Sequence, residues 1–275
     1  SEEVPHLVDR NELFGAPIRV GADTHWMTEP EIERMYRRRF DARRYDGEAL
    51  QQLLEDLSAY ARDEAAWMIC AARPLHPNLS SSLSKDVARQ VIQEAAANQE
   101  LAKYWGAGPL VEAHNANPRR GYRSWVFQNQ GGLLDHLAPS VMVVSDDGTV
   151  GLAIQIGGFV HADNATRFET DPQVIEVTVS DLISAARSLS ERTRTSMYDI
   201  AVEVITEQPV TVFGYTPFGV ERSRAHRIER FRSIRSSLDV SAAKDEVLQA
   251  TRDLALDCLN QGGVEQLRQI HAVGL

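Results

Sequence analysis

Apolar positions Ile32, Met35, Tyr36 and Phe40 recur at helical spacing, and Leu50, Leu53, Leu54, Leu57, Tyr60 and Ala61 continue the series. Gly47 stands between the two sets as an expected break or kink. The helix start is well marked: Thr28 followed by Glu31 is a capping box, and Pro30 occupies the first turn, where its missing N–H costs nothing. Before it, residues 14–20 read as a short strand leading into the turn Gly21-Ala22-Asp23 and an extended His25-Trp26-Met27. The run AWMICAA at 66–72 is a buried strand halted by Arg73-Pro74. A second helix is expected over 84–104 from Val87, Val91, Ile92, Ala95 and Leu101, ending at Gly106.

The period changes to two at Tyr122. Residues 122–128, 140–144 and 150–156 alternate as strands, with Asp146-Asp147-Gly148 between the last two as a hairpin signal. Residues 173–177 read as one more strand and 180–194 as a helix with Leu182, Ile183, Ala186 and Leu189 on its apolar side. Residues 198–206 and 210–215 alternate on either side of Glu207-Gln208-Pro209. Helices are expected from Ser241 to about Leu259 and over 264–271. This order predicts an α+β protein with a helical N-terminal region and a mainly antiparallel sheet with packed helices in the C-terminal half. Three segments are expected: 1–40 as an exit strand and linker, 41–115 as a helical region with one short strand, and 116–275 as an α+β domain.

Composition narrows the picture. The 275 residues are 43% hydrophobic, enough for a core, and carry a net charge of −10. That balance argues against a protein coated with positive potential, although local basic patches stay open. Cys70 and Cys258 lie far apart in apolar surroundings, as buried free thiols of a reducing compartment do. No apolar run is long enough to cross a bilayer, and the start SEEVPHL has neither a basic nor an apolar leader pattern. The expectation is a soluble cytoplasmic chain.

Two basic stretches stand out. Arg34, Arg37, Arg38, Arg39, Arg43 and Arg44 crowd the first helix and wrap around its circumference, within i to i+4 reach of Glu33, Asp41 and Asp46. A solvated helix face is the plainer reading, and phosphate contact through Arg37, Arg38 and Arg39 the functional one. The second, ERSRAHRIERFRSIRSSL, carries Arg222, Arg224, His226, Arg227, Arg230, Arg232 and Arg235. Ile228, Phe231, Ile234 and Leu238 make it read as an amphipathic helix, with Arg227 and Arg230 as its candidate phosphate contacts.

Other chemistry is thin. His161 and Asp163 form at most half a metal site, and the remaining histidines have no ligand spacing, so no metal is expected. Gly131-Gly132 and Gly157-Gly158 match no phosphate-cradling loop, no GxSxG elbow occurs, and Ser80-Ser81-Ser82 read as helix capping. No catalytic residue and no cofactor are expected. Trp26, Trp67, Trp105 and Trp125 read as core or interface anchors.

The stretch Ile18-Arg19-Val20-Gly21, followed by Ala22-Asp23-Thr24, Thr28-Glu29-Pro30-Glu31-Ile32-Glu33 and Tyr36-Arg37-Arg38-Arg39-Phe40, resembles the C-terminal edge of the Schlafen-type AlbA DNA-binding domain family of bacterial regulators. The resemblance covers about residues 14–40. It implies that the chain is the C-terminal part of a larger nucleic-acid-linked protein. The acidic nuclease ligands of some family members would lie upstream. The leading expectation is therefore a non-enzymatic accessory region of a DNA-binding transcriptional regulator. The alternatives are a self-association or partner-binding module without nucleic-acid contact, and a fragment of a nucleic-acid-processing enzyme.

Overall fold

The computed structural model describes residues 8–10, 13–20, 23–61, 64–78, 82–97, 108–129, 138–161, 163–216 and 219–270. The side chains of 8–15, 18, 20, 38–46 and 216–225 lie outside that description, as do the expected helix residues 98–104 and His6, Ser80, Ser81, Trp105, Gly131, Gly132, His136 and His271. The chain divides into two compact units, residues 1–51 and 52–275.

In the first unit, β1 (Val8–Arg10) pairs antiparallel with β2 (Leu13–Gly15), and β3 (Pro17–Val20) with β4 (Asp23–Trp26). The capping box forms at the head of α1 (Glu29–Ser58): the Thr28 N–H donates to the Glu31 carboxylate at 2.7 Å and the Thr28 hydroxyl at 2.8 Å. These bonds, the backbone one foremost, hold the Glu31 carboxyl below its usual range. The helix runs through Gly47 without the expected break. A glycine costs only about 1 kcal/mol in a helix interior, and the apolar series on both sides of it keeps one period. From Gln52 on, α1 belongs to the second unit.

The second unit is α+β, as its alternating and helical periods predict. Its elements are β5 (Ala66–Pro74), α2 (Lys85–Ala97), α3 (Pro109–Asn115), β6 (Arg119–Gly121), β7 (Ser124–Asn129), β8 (Ser140–Ser145), β9 (Val150–Gly157), β10 (Phe159–Val160), β11 (Thr166–Arg167), β12 (Glu169–Thr170), α4 (Pro172–Thr193), β13 (Met197–Ile205), β14 (Val210–Thr216), β15 (Gly219–Ile228), β16 (Ile234–Asp239) and α5 (Lys244–Asn260). Seven strands form one antiparallel sheet in the order β16-β13-β5-β9-β8-β7-β6, so the early strand β5 sits among strands from the later part of the chain. β12, β14 and β15 form a second, three-stranded sheet, with β12 parallel to β14.

Alternation decides which side chains face the helices. Met68, Cys70 and Ala72 of β5, Leu152, Ile154 and Ile156 of β9, and Tyr198, Ile200 and Val202 of β13 join one core with Ile175, Val179, Leu182 and Leu189 of α4. β5 is buried along its whole length, hence covered on both faces. On the other face, Ala71 and Gly151 are cross-strand partners, and Leu57 packs there so closely that a Cβ on Gly151 would stand 2.9 Å from its Cδ1.

Three expectations are corrected. Residues 173–177 are the first turns of α4, not a strand. Asp171 is the N-cap, accepting from the Gln173 N–H at 2.8 Å, and Pro172 follows it. In the first turns Glu176 is buried beside Ile175 and Val177, so no apolar stripe sets these residues apart, whereas Leu182, Ile183, Ala186 and Leu189 mark the rest of α4 as helix. The basic stretch 226–238 is strand, turn and strand, not an amphipathic helix. Its apolar residues anchor separately: Ile228 ends β15, Phe231 sits in the turn, and Ile234 and Leu238 belong to β16, which pairs with β13 over six positions. Residues 264–270 form no helix. The Val264 N–H instead donates back to the Leu259 carbonyl, closing α5, and the chain then bends at 268–270, where three successive N–H groups meet Glu176.

Candidate anion-binding surface

The second basic stretch begins in a backbone irregularity. The β14–β15 register passes from Val212↔His226 to Gly214↔Glu221, so residues 222–225 stand opposite the single residue Phe213. Bulges of this kind bend a strand and re-aim what it carries. The strand recovers its pairing for His226 to Ile228, and the chain then turns through 229–233 into β16.

That turn is fixed from behind by one side chain. Gln261, at the C-terminus of α5, accepts the Arg232 N–H at 2.6 Å and donates to the Arg232 carbonyl at 3.1 Å. Gly263 follows at φ 68°, and a Cβ there would stand 2.8 Å from the His226 ring, so glycine serves both the backbone and the close approach. The result is an open concavity of about 630 Å³ whose wall includes Arg227, Arg230, Phe231, Arg232 and Gln261.

Charge is distributed unevenly in it. Arg227 pairs with Glu229 at 3.1 Å, both side chains well exposed. Arg230 and Arg232 are exposed, and among the described residues neither forms an ion pair. Residues 222–235 hold six arginines and one carboxylate within a chain of net charge −10. A basic concavity in such a chain focuses anions toward itself, and guanidinium groups offer a fork of donors suited to phosphate or carboxylate.

The two arginine sets lie apart in the chain's organisation. Arg227 and Arg230 share the concavity in the second unit. Arg37, Arg38 and Arg39 follow one another on α1 in the first; Arg37 is committed to Glu33 at 2.6 Å, and Arg34 reaches the Pro30 carbonyl at 3.4 Å. Reasoning from sequence put Arg232 in the basic stretch without singling it out, and it gave no hint of Gln261, whose role depends on a fold-level approach of α5 to the turn.

Two buried carboxylates, Glu176 and Asp146, are internally satisfied. The fully buried carboxylate of Glu176 accepts the N–H groups of Arg268 at 3.0 Å, Gln269 at 2.8 Å and Ile270 at 3.2 Å, and the Tyr215 hydroxyl at 2.6 Å. The Arg268 guanidinium lies 4.8 Å over the Tyr215 ring, and Arg252 donates to the Ile270 carbonyl. Burial, then the Glu176 charge, pushes the Tyr215 hydroxyl far up from its ordinary value. Asp146, also buried, receives Arg120 at 2.7 and 3.1 Å and the Leu83 N–H at 3.0 Å, while Trp125 donates to the Leu83 carbonyl and carries Arg120 5.1 Å over its ring. Burial raises the Asp146 carboxyl, but the bonds from Arg120 and Leu83, with the charges of Arg120 and Arg123, outweigh it and leave the group below its usual range.

The remaining candidates are accounted for locally. Asp163 pairs with Arg167 in the β10–β11 hairpin, and among the described residues no three His, Cys, Asp or Glu side chains gather as a metal site. Burial pushes both the Cys70 and Cys258 thiols up, away from thiolate chemistry. Trp67 is buried and Trp125 half-buried, whereas Trp26 is 51% exposed on β4, outside any core, so of the core-or-interface reading only the interface half is open to it. Among the described residues, no helix is long and apolar enough to cross a membrane. No protein-family model matches the chain, and no curated protein and no solved structure is similar to it.

Proposed function

We propose that the chain is the C-terminal region of a bacterial DNA-associated regulator, working in the cytoplasm, and that it contacts nucleic-acid phosphates through Arg230 and Arg232 with Arg227 at the rim. In this reading it binds and does not catalyse. The observation that carries it is the pair of exposed arginines without carboxylate partners on a concavity of an otherwise acidic chain. Glu229 also lines the concavity, but it pairs with Arg227, so two exposed guanidinium groups remain in excess to attract an anion. The strand β3, which carries Ile18-Arg19-Val20, and the helix α1 capped at Thr28 also support the likeness to the edge of the Schlafen-type AlbA family.

The test is fluorescence anisotropy of labelled duplex and single-stranded DNA across a salt series. Three phosphate contacts predict that affinity for a single strand falls roughly 20-fold between about 50 and 200 mM salt. An absence of binding at the lowest salt, where phosphate contacts are strongest, removes the reading.

A further inference from the structure

We infer that the concavity takes a single-stranded nucleic acid, with Phe231 as a platform for one unstacked base and Arg230 and Arg232 holding the phosphates on either side of it. This rests on the phosphate-binding reading and goes beyond it in naming the state of the nucleic acid and the residue that reads it.

Phe231 stands at the centre of the 229–233 turn. It lines the open concavity on one side, packs against the apolar core, and shares the lining of a small apolar cavity with Ile156, Val204 and Val210. The ring is therefore held by the core while staying half-buried, with part of its surface in the concavity. Its neighbours in sequence are the two unpaired arginines, and Gln261 grips the backbone at Arg232 from both its N–H and its carbonyl, so the triplet Arg230-Phe231-Arg232 is presented on a fixed turn. An aromatic ring flanked by cations is the arrangement that binds single strands: stacking is tolerant of base identity, and the cations track the backbone. In a duplex the bases already stack on each other and no face is free for the ring. The volume, about 630 Å³, lies within the range of sites that enclose a small organic ligand, enough to admit one base.

The experiment measures the affinity of the full chain for three labelled probes of equal length: an oligo-dT strand, an abasic strand of the same phosphate count, and a duplex. The wild type is expected to bind oligo-dT at least about fivefold tighter than the abasic strand. F231L, which keeps an apolar side chain against the core, is expected to bring oligo-dT down to the abasic level while leaving the salt dependence unchanged. Equal affinity of the wild type for oligo-dT and the abasic strand overturns the inference without using any variant. It leaves the phosphate-binding reading standing, as does tighter binding to duplex than to oligo-dT. Failure of all three probes to bind at low salt overturns both.

Discussion

Glu176 and the 229–233 turn are two ends of one hairpin's environment, and they treat charge in opposite ways. The Glu176 carboxylate is fully buried, yet three successive N–H groups and the Tyr215 hydroxyl converge on it, so its desolvation is offset by four sets of directed donors. It ties the segment 268–270 and strand β14 to α4 and has no capacity left for a ligand. Arg230 and Arg232 are exposed, Arg232 is held through its backbone by Gln261, and the guanidinium donors of both remain available. Charge that is enclosed and satisfied builds the fold; charge that is displayed and unpaired on a fixed turn is free to bind.

That contrast can be broken at the buried end first. Glu176→Ala leaves several enclosed donors without an acceptor, and is expected to lower stability by at least about 3 kcal/mol in urea denaturation; a loss under about 1 kcal/mol would mean the donors find water. Asp146→Asn comes next, at about 2 kcal/mol near neutral pH, since it weakens the two-pronged bond with Arg120. Because the folded Asp146 carboxyl lies below its ordinary 3.8, its contribution is complete above that value and is lost as pH falls through the lower folded value. The stability gap between wild type and D146N should therefore close on acidification below pH 3.8, and a gap independent of pH would contradict the assignment.

At the displayed end the expected signs separate. The R230A/R232A double variant should keep its stability within about 0.5 kcal/mol, as surface changes do, while losing most of its affinity for oligo-dT. Arg37→Ala should change that affinity less than about twofold, because an exposed i,i+4 pair with Glu33 already occupies the guanidinium and contributes little to stability. A large loss of binding in R37A would shift the nucleic-acid contact to α1.

What could be read from sequence was whatever depends on neighbours in sequence. The Thr28–Glu31 box, the β5 run and the Asp146-Asp147-Gly148 turn between β8 and β9 are local signals, and each forms as its residues predict. The start of α4 was not legible because the buried Glu176 interrupts the apolar residues of its first turns, even though Asp171-Pro172 marks its cap. Residues 226–238 were misread because apolar anchors at 228, 231, 234 and 238 fit a helical spacing by coincidence, while the real determinant is the demand of β13 for an edge partner. Arg227 and Arg230 were legible as basic residues. The fixed turn was not, since Gln261 acts from 29 positions away. Glu176 had no sequence signal at all, because its partners are mostly backbone N–H groups that any residues could supply.

The most direct test of the account is the slope of log affinity for oligo-dT against log salt, measured for the wild type and for R230A/R232A. Each phosphate contact on a single strand contributes about 0.7 to that slope, so the wild type should show about −2 and the double variant a slope shallower by about 1.4. Equal slopes for the two proteins would place the phosphate contacts elsewhere and contradict the assignment of this surface.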